Sequence, residues 1–300
     1  MLHNEKELFE QLILRTSAAF GIEAGIIEKD YFVTLMLKKV VAKQPDIVFK
    51  GGTSLSKCYK LINRFSEDID LNILCETRPS ESQRKALNKM IISVVEDMGF
   101  SLKNPEEMRS KRDFNRYVVG FPSVFDDKYL KPDIIVETAV FLRAYPTERL
   151  NAASLIYDYL VENNLEDLIN QYELEPFELN VQTADRTFVD KVFALCDYYL
   201  DNKIQEHSRH IYDLYKLLEV VQLNDQLKEL IVAVRGERSQ RKVCLSAKEE
   251  VNINLLLQEI IDKKVYKADY ETITSALIYD EVSYSTAITA LKEIIQKNIF

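Results

Sequence analysis

Phe49-Lys50-Gly51-Gly52-Thr53-Ser54-Leu55-Ser56-Lys57, followed after a short connection by Arg64-Phe65-Ser66-Glu67-Asp68-Ile69-Asp70-Leu71, is the stretch on which the reading of this chain turns. Residues 46–49 form a short apolar strand, stopped by two glycines that admit positive φ and let a ligand approach the backbone. Residues 54–61 have the length of one or two helical turns, and a helix start that follows a hydroxyl residue offers free N–H groups to an anion such as a triphosphate. Residues 63–67 read as a loop. Residues 68–74 then alternate strictly: Ile69, Leu71 and Ile73 face one way, and Asp68, Asp70 and Asn72 face the other. Carboxylates at i and i+2 share a strand face about 7 Å apart at the backbone, close enough for two hard oxygen ligands to share or bridge divalent cations. Two such cations can activate an attacking oxygen and stabilise a leaving phosphate. A D-x-D alone is also what a solvated strand shows; the Gly-Gly-Thr turn upstream, on a strand–turn–helix–strand frame, gives it weight. Gly52 is not followed by the G-K-[ST] of a Walker A loop, and the spacing is not a dinucleotide-binding fingerprint.

Outward from this frame, residues 1–43 carry helical spacing, with Ile27, Tyr31 and Leu35 recurring on one face, and Pro45 ends the run. Residues 82–99 return to helix. Residues 117–121 and 133–142 read as two strands, joined by a loop that holds Pro122 and Pro132. Beyond about residue 145 nearly everything has helical period, apart from an extended piece around 177–181. Phe188, Val192, Leu195 and Tyr199 make one apolar stripe; Ile211, Leu214, Tyr215, Leu218 and Val221 make another. The expected architecture is α+β. Residues 1–148 supply a mixed sheet with flanking helices, its strands near 46–50, 68–74, 116–121 and 133–142, and residues 149–300 form a helical C-terminal domain.

The composition bounds the partners. The chain has 300 residues, 47% apolar and 29% charged, so a core of ordinary size is available without a disulfide or metal staple. Cys58, Cys75, Cys196 and Cys244 contain no C-x-x-C pair, and with three histidines in the chain they read as small buried residues in a reducing compartment. The N-terminal residues carry acids early and no long apolar run, so they are not expected to act as a signal peptide, and no stretch approaches a membrane span. The expected location is the cytoplasm. A net charge of −9 excludes binding nucleic acid through the overall field and leaves local basic clusters: Arg109, Lys111, Arg112 and Arg116, then Arg235, Arg238, Arg241 and Lys242. Each cluster is either a solvated face or a surface for phosphates.

The G-G-T turn followed by R-F-S-E-D-I-D-L closely resembles the AbiEii/AbiGii toxin family of nucleotidyltransferases, toxin components of bacterial toxin–antitoxin and phage-defence systems. The resemblance extends to Glu28-Lys29-Asp30-Tyr31, to Asp185-Arg186-Thr187-Phe188-Val189-Asp190-Lys191 and to Ser208-Arg209-His210-Ile211-Tyr212-Asp213-Leu214, in the family's order. It implies a DNA-polymerase-beta-like nucleotidyltransferase fold whose helical C-terminal lobe completes the active-site cleft. It also implies an NTP substrate, Mg²⁺ (or Mn²⁺), a cognate antitoxin protein and, in some members, nucleotide addition to the 3′ end of tRNA.

Within that resemblance Asp68 and Asp70 are the expected metal-binding and catalytic acids. A third carboxylate is usual in such folds on the neighbouring strand. Glu137 is the choice, because an acid on the apolar strand after Pro132-Asp133-Ile134-Ile135-Val136 needs a reason to be there; Asp133, on the same face by period two, is the alternative. Glu137 could equally pair with Arg143 or Arg116. Lys191 matches the family's motif lysine, expected to contact the triphosphate, where the residues alone suggest a snorkelling surface lysine. Asp213 matches the family's late motif aspartate and is grouped with the catalytic set; its plain alternative is an i,i+4 pair with Arg209. Gly51, Gly52, Thr53, Lys57, Ser66, Lys191 and Arg209 are the expected nucleotide-binding set, with turn capping the alternative for the hydroxyls and helix-surface pairing for Arg209 and Arg186. His210 is expected at an interface, without a proton-transfer role. Two other functions use the same residues: an inactive NTP-binding or protein-interaction module that retains the fold, and two-metal phosphate hydrolysis, which would call for more His or Asp ligands than are evident.

Overall fold

A computed structural model describes residues 1–66, 68–109, 112–125 and 131–300; Glu67 of the acidic motif and Lys111 of the first basic cluster lie outside the described residues. The chain divides into two compact units, one formed by Met1–Lys60 with Ser66–Gln182, the other by Leu61–Phe65 with Thr183–Phe300.

In the first unit, α1 (Lys6–Phe20) ends where Gly21 turns left-handed at φ 67° and its N–H closes on Ser17 O at 2.9 Å. The unit continues with α2 (Ala24–Lys43), β1 (Ile47–Lys50), α3 (Gly51–Lys57) and β2 (Ile69–Ile73). Next come α4 (Glu81–Asp97), β3 (Ser101–Leu102), β4 (Phe114–Gly120), β5 (Asp133–Ala139) and β6 (Thr147–Ala152), then α5 (Leu155–Glu162), α6 (Glu166–Tyr172) and β7 (Phe177–Gln182). Ser80 and Gln83 close a reciprocal capping box at the start of α4, which satisfies two otherwise orphaned N–H groups. Among the described residues, seven strands form one mixed sheet in the order β3-β4-β5-β2-β1-β7-β6. The sheet buries an apolar layer that includes Phe49, Ile69, Leu71, Tyr117, Val136 and Val181, beneath α2, whose Phe32 stacks on Phe121 at 4.5 Å and meets Phe9 and Tyr31 edge-on. Truncating a buried aromatic of this kind costs about 3–5 kcal/mol, so this aromatic cluster is a main source of the unit's stability.

The α+β expectation holds. Helices and strands lie where alternation and helical spacing predict them, within a few residues. Two strands were not foreseen: the two-residue β3, and β6 at Thr147–Ala152. β6 pairs with β7 at the edge of the sheet and most of its residues face outward, so its sequence Thr-Glu-Arg-Leu-Asn-Ala carries no apolar alternation to read.

The second unit, among its described residues, is helical. Its main helices are α7 (Ala184–Leu200), α8 (Arg209–Leu217), α9 (Asp225–Ser239), α10 (Ile253–Asp262) and a last helix at Thr289–Lys297. Thr183, Asn224 and Asn252 each cap a helix by accepting a backbone N–H. Phe188, Val192, Leu195, Ile211 and Leu214 are fully buried, as the two sequence stripes require. Leu61–Phe65 joins this unit through a short antiparallel contact: Phe65 N–H donates to Leu277 O and Tyr279 N–H to Asn63 O, both at 2.8 Å. All four cysteines are free. No helix among the described residues is long and apolar enough to cross a membrane.

Candidate active site

The two faces of β2 separate the core from the chemistry. Ile69 and Leu71 are fully buried on one face, while Asp68 and Asp70 are half-exposed on the other. Pairing then decides what stands beside Asp70. β1 runs antiparallel to β2 with Lys50 opposite Asp70, and β5 runs parallel to β2 on its other side with Glu137 opposite Asp70. β4 continues the row, placing Arg116 opposite Glu137 with Nε to Oε1 at 3.4 Å. Residues in register share a face, so Lys50, Asp70, Glu137 and Arg116 form a charged row across four strands, cationic at its ends and anionic at its centre.

The electrostatics of the row follow. Burial, then the like charges of Asp70 and Asp68, push the Glu137 carboxyl up to about 7, against the pull of Arg116 and Lys50. Asp133, the alternative third acid, sits at the opposite end of β5, opposite Gly120 and ion-paired with Lys103.

Gly51 explains the Gly-Gly turn. It begins α3 directly after β1 at φ 79°, and a Cβ added there would sit 2.0 Å from Asp70 Oδ2. Any side chain at this position would be strained by the backbone conformation and would displace the acid. Thr53 on α3 is hydrogen-bonded to Ser66 at 2.9 Å, hydroxyl to hydroxyl, which fastens the approach of β2 to α3.

Several expected positions turn out to be structural anchors. Lys57 is buried, and its ammonium donates to Asp30 Oδ1 at 2.5 Å, to Thr34 Oγ1 at 2.6 Å and to Asp30 O at 3.3 Å. Those three acceptors match an ammonium's three donors, so Lys57 ties α3 to α2. The rest of the Glu28-Lys29-Asp30-Tyr31 motif does similar work. Glu28 accepts from Ser123 Oγ and Val124 N, Lys29 donates to Lys131 O, and Asp30 Oδ2 accepts Leu155 N at the start of α5. Two of the four cations in the second basic cluster are engaged within the protein: Arg238 is buried against Asp190 at 3.2 Å and Asp197 at 2.7 Å, and Arg235 donates to Lys248 O and Val251 O. For those two, neither a solvated face nor a phosphate surface describes the side chain, which is an internal tie; Lys242 is exposed. In the first cluster Arg109 and Arg112 are exposed, and Arg116 belongs to the charged row.

In the second unit Lys191 and Asp213 come together with Arg64. Asp213 is fully buried; its Oδ1 accepts Arg64 Nε at 2.7 Å, and its Oδ2 accepts Arg64 Nη2 at 2.8 Å and Lys191 Nζ at 2.5 Å. Burial opposes the Asp213 charge, yet Arg64 and Lys191 outweigh it and hold the carboxyl well below the usual carboxylate range. Burial pushes the Lys191 ammonium down, opposed by Asp213 and reinforced by Arg64 and Arg209. The snorkelling reading of Lys191 and the Arg209 pairing of Asp213 are therefore replaced by a buried triad, in which Arg64 is the member that sequence reasoning missed. Its signal was present: it is the first residue of the R-F-S-E-D-I-D-L motif. His210 is pushed well below the usual histidine range by burial and by Lys191 and Arg209, and its ring lies parallel to Tyr198 and His207, an interfacial stack.

Asp68, Asp70 and Glu137 suit a hard divalent cation by ligand type, and such a cation would offset both the burial and the like charges that raise Glu137. Among the described residues no group of three or more His, Cys, Asp or Glu forms a ready cage. A cation that takes one or two carboxylates and completes its shell with water and substrate phosphate, as Mg²⁺ does, needs no such cage. In comparison with known families, the sequence model described as "Nucleotidyl transferase AbiEii toxin, Type IV TA system" matches residues 35–295. No curated protein matches the chain.

Proposed function

Because the chain belongs to the AbiEii nucleotidyl transferase toxin family of type IV toxin–antitoxin systems, we propose that it transfers NMP from an NTP to an acceptor hydroxyl at an RNA end, the 3′ end of tRNA, with each Mg²⁺ (or Mn²⁺) taking one or two of the carboxylates Asp68, Asp70 and Glu137 and completing its shell with water and phosphate. Family membership implies the NTP and a cognate antitoxin; the acceptor and the metal are the proposal. The observation that carries it is the anionic centre of the charged row, where Asp70 lies tight against Gly51 and in register with Glu137. When bound, the cation neutralises triphosphate charge and lowers the cost of forming the new bond.

The chain's own groups then have defined parts. Asp68 and Asp70 present oxygens from one strand face, Glu137 adds a third from β5, and Thr53 and Ser66 hold the approach to that face. Gly51 leaves room for the Asp70 carboxylate against the turn, and Gly52 lets substrate approach the backbone. Lys191, with Arg209 nearby in charge, contributes a cation to the triphosphate, on the strength of its place in the matching motif. The acceptor oxygen attacks the α-phosphorus, the bond to the bridging oxygen breaks, pyrophosphate leaves and the hydroxyl proton passes to water. The reaction takes place in the cytoplasm, where tRNA is abundant.

The test is to incubate the protein with each labelled NTP, Mg²⁺, total RNA and a protein extract, beside Asp70→Asn. Label in the small-RNA fraction, lost in Asp70→Asn, is expected; label confined to protein would overturn the RNA acceptor. Label in neither fraction, with growth of the host unaffected by expression, would overturn transfer itself and favour the inactive interaction module.

A further inference from the structure

Asp213 occupies an unusual place for a residue grouped with catalytic acids. It has no solvent exposure, and both of its oxygens are engaged by cations, Arg64 and Lys191, at 2.5–2.8 Å. A carboxylate held in this way has three of its roughly four acceptor sites taken and no exposed oxygen to offer a substrate, and accepting a proton would break charge-assisted contacts. What it can do is direct its partners. Lys191 sits on α7, Asp213 on α8, and Arg64 on the segment Leu61–Phe65, whose backbone pairs with residues 277–279. Tyr212, next to Asp213, fastens the same segment by accepting Asn63 N–H at 3.0 Å while donating to Asp280. Four residues beyond Arg64 the chain reaches Asp68.

We propose that Asp213 is a positioning residue that clamps the Lys191 ammonium, keeps it charged for the triphosphate, and fastens the segment leading into the acidic strand through Arg64. The part about the triphosphate rests on the nucleotidyltransferase reading of Lys191; the part about the segment does not. Without the Asp213 charge, Lys191 would remain in a nearly dry environment facing Arg64 and Arg209, with His210 beside it, and would tend to release its proton. On either side of Lys191 along α7, Asp190 pairs with Arg186 and with Arg238 of α9, and Asp197 pairs with Arg238.

Three proteins test this: wild type, Asp213→Asn and Asp213→Glu, the last retaining charge with one methylene of displacement. Affinity for NTP, kcat and KM are measured from pH 6 to pH 9, with amide hydrogen exchange at Phe65 and Tyr279. For Asp213→Asn the loss of NTP affinity should grow by about tenfold or more from the acid to the alkaline end, as Lys191 loses its charge. Asp213→Glu should raise KM while keeping the pH profile of wild type. Exchange at Phe65 and Tyr279 should accelerate in Asp213→Asn, with α10 unchanged. A pH-independent loss of affinity in Asp213→Asn, or a fall in kcat alone in both variants, would overturn the positioning role in favour of a merely structural or a proton-accepting one. Unchanged exchange at both amides would overturn the clamp on the segment. If Asp213→Asn fails to fold, the KM-against-kcat split in Asp213→Glu decides. Should Lys191→Ala bind NTP as well as wild type, the reading of Lys191 fails, while the exchange result still judges the clamp.

Discussion

Replacing Glu137 by Gln should make the metal-free protein more stable and less active at the same time. Glu137 titrates at about 7 in the folded protein, against an ordinary value of 4.5. Between those two values the folded protein holds a proton that the unfolded chain has released, so stability falls as pH rises through the window and stays low above it. At ~1.4 kcal/mol per pH decade the window amounts to at most ~3 kcal/mol. The side chain is 28% exposed, and solvent screening takes part of this; the attraction of Arg116 is already contained in the net value. A gain of about 1–2 kcal/mol is therefore expected for Glu137→Gln relative to wild type on going from about pH 5 to about pH 8. The assay is urea unfolding of both proteins at the two pH values with a chelator present, repeated with Mg²⁺ and NTP. The added pair should stabilise wild type more than the variant, because the variant has lost an oxygen charge from the anionic centre. NTP-dependent labelling should fall in the variant. A stability difference that is the same at both pH values would refute the raised Glu137 carboxyl, and full labelling by the variant would remove Glu137 from the site.

Gly51→Ala should lower Tm through a backbone cost of about 1–2 kcal/mol and, by displacing Asp70, reduce transfer by about 100-fold; retention of activity would show that Asp70 has room that the geometry denies it. Lys57→Met should cost about 3 kcal/mol in urea unfolding, because it leaves Asp30 without its cation, while the KM for NTP stays within about twofold; a large rise in KM would return Lys57 to the nucleotide site. Arg238→Ala should destabilise the second unit by about 3 kcal/mol without altering the salt dependence of RNA binding, since its charge is spent on Asp190 and Asp197; a shallower salt slope would reinstate it as a phosphate contact.

The local elements were legible because their causes are local. The alternation of residues 68–74 set β2 and assigned Ile69 and Leu71 to the core and Asp70 to the opposite face, because a strand turns its side chains with a period of two. Of the two helical stripes in the second half, Phe188, Val192, Leu195, Ile211 and Leu214 are fully buried in α7 and α8, while Tyr199, Tyr215 and Leu218 are half-buried. Positive φ at Gly51 followed from the Gly-Gly stop after an apolar run. Reading failed where an element carries no pattern, as in the outward-facing edge strand β6.

Charged residues were the harder case, because a side chain's partner is fixed by long-range pairing that the residue's own neighbours do not encode. Lys57, Arg235 and Arg238 look in sequence like free cations, yet each ends on acceptors supplied by a distant helix or loop. The sequence by itself determined the period of each element, the turn at Gly51 and the family to which its motifs point. Only the tertiary structure decided that Glu137 rather than Asp133 stands beside Asp70, because strand order and register are set by burial of whole apolar faces. It decided likewise that Arg64, far from Asp213 in the chain, is the guanidinium that neutralises it, because a buried carboxylate must find cationic partners wherever the packed chain brings them.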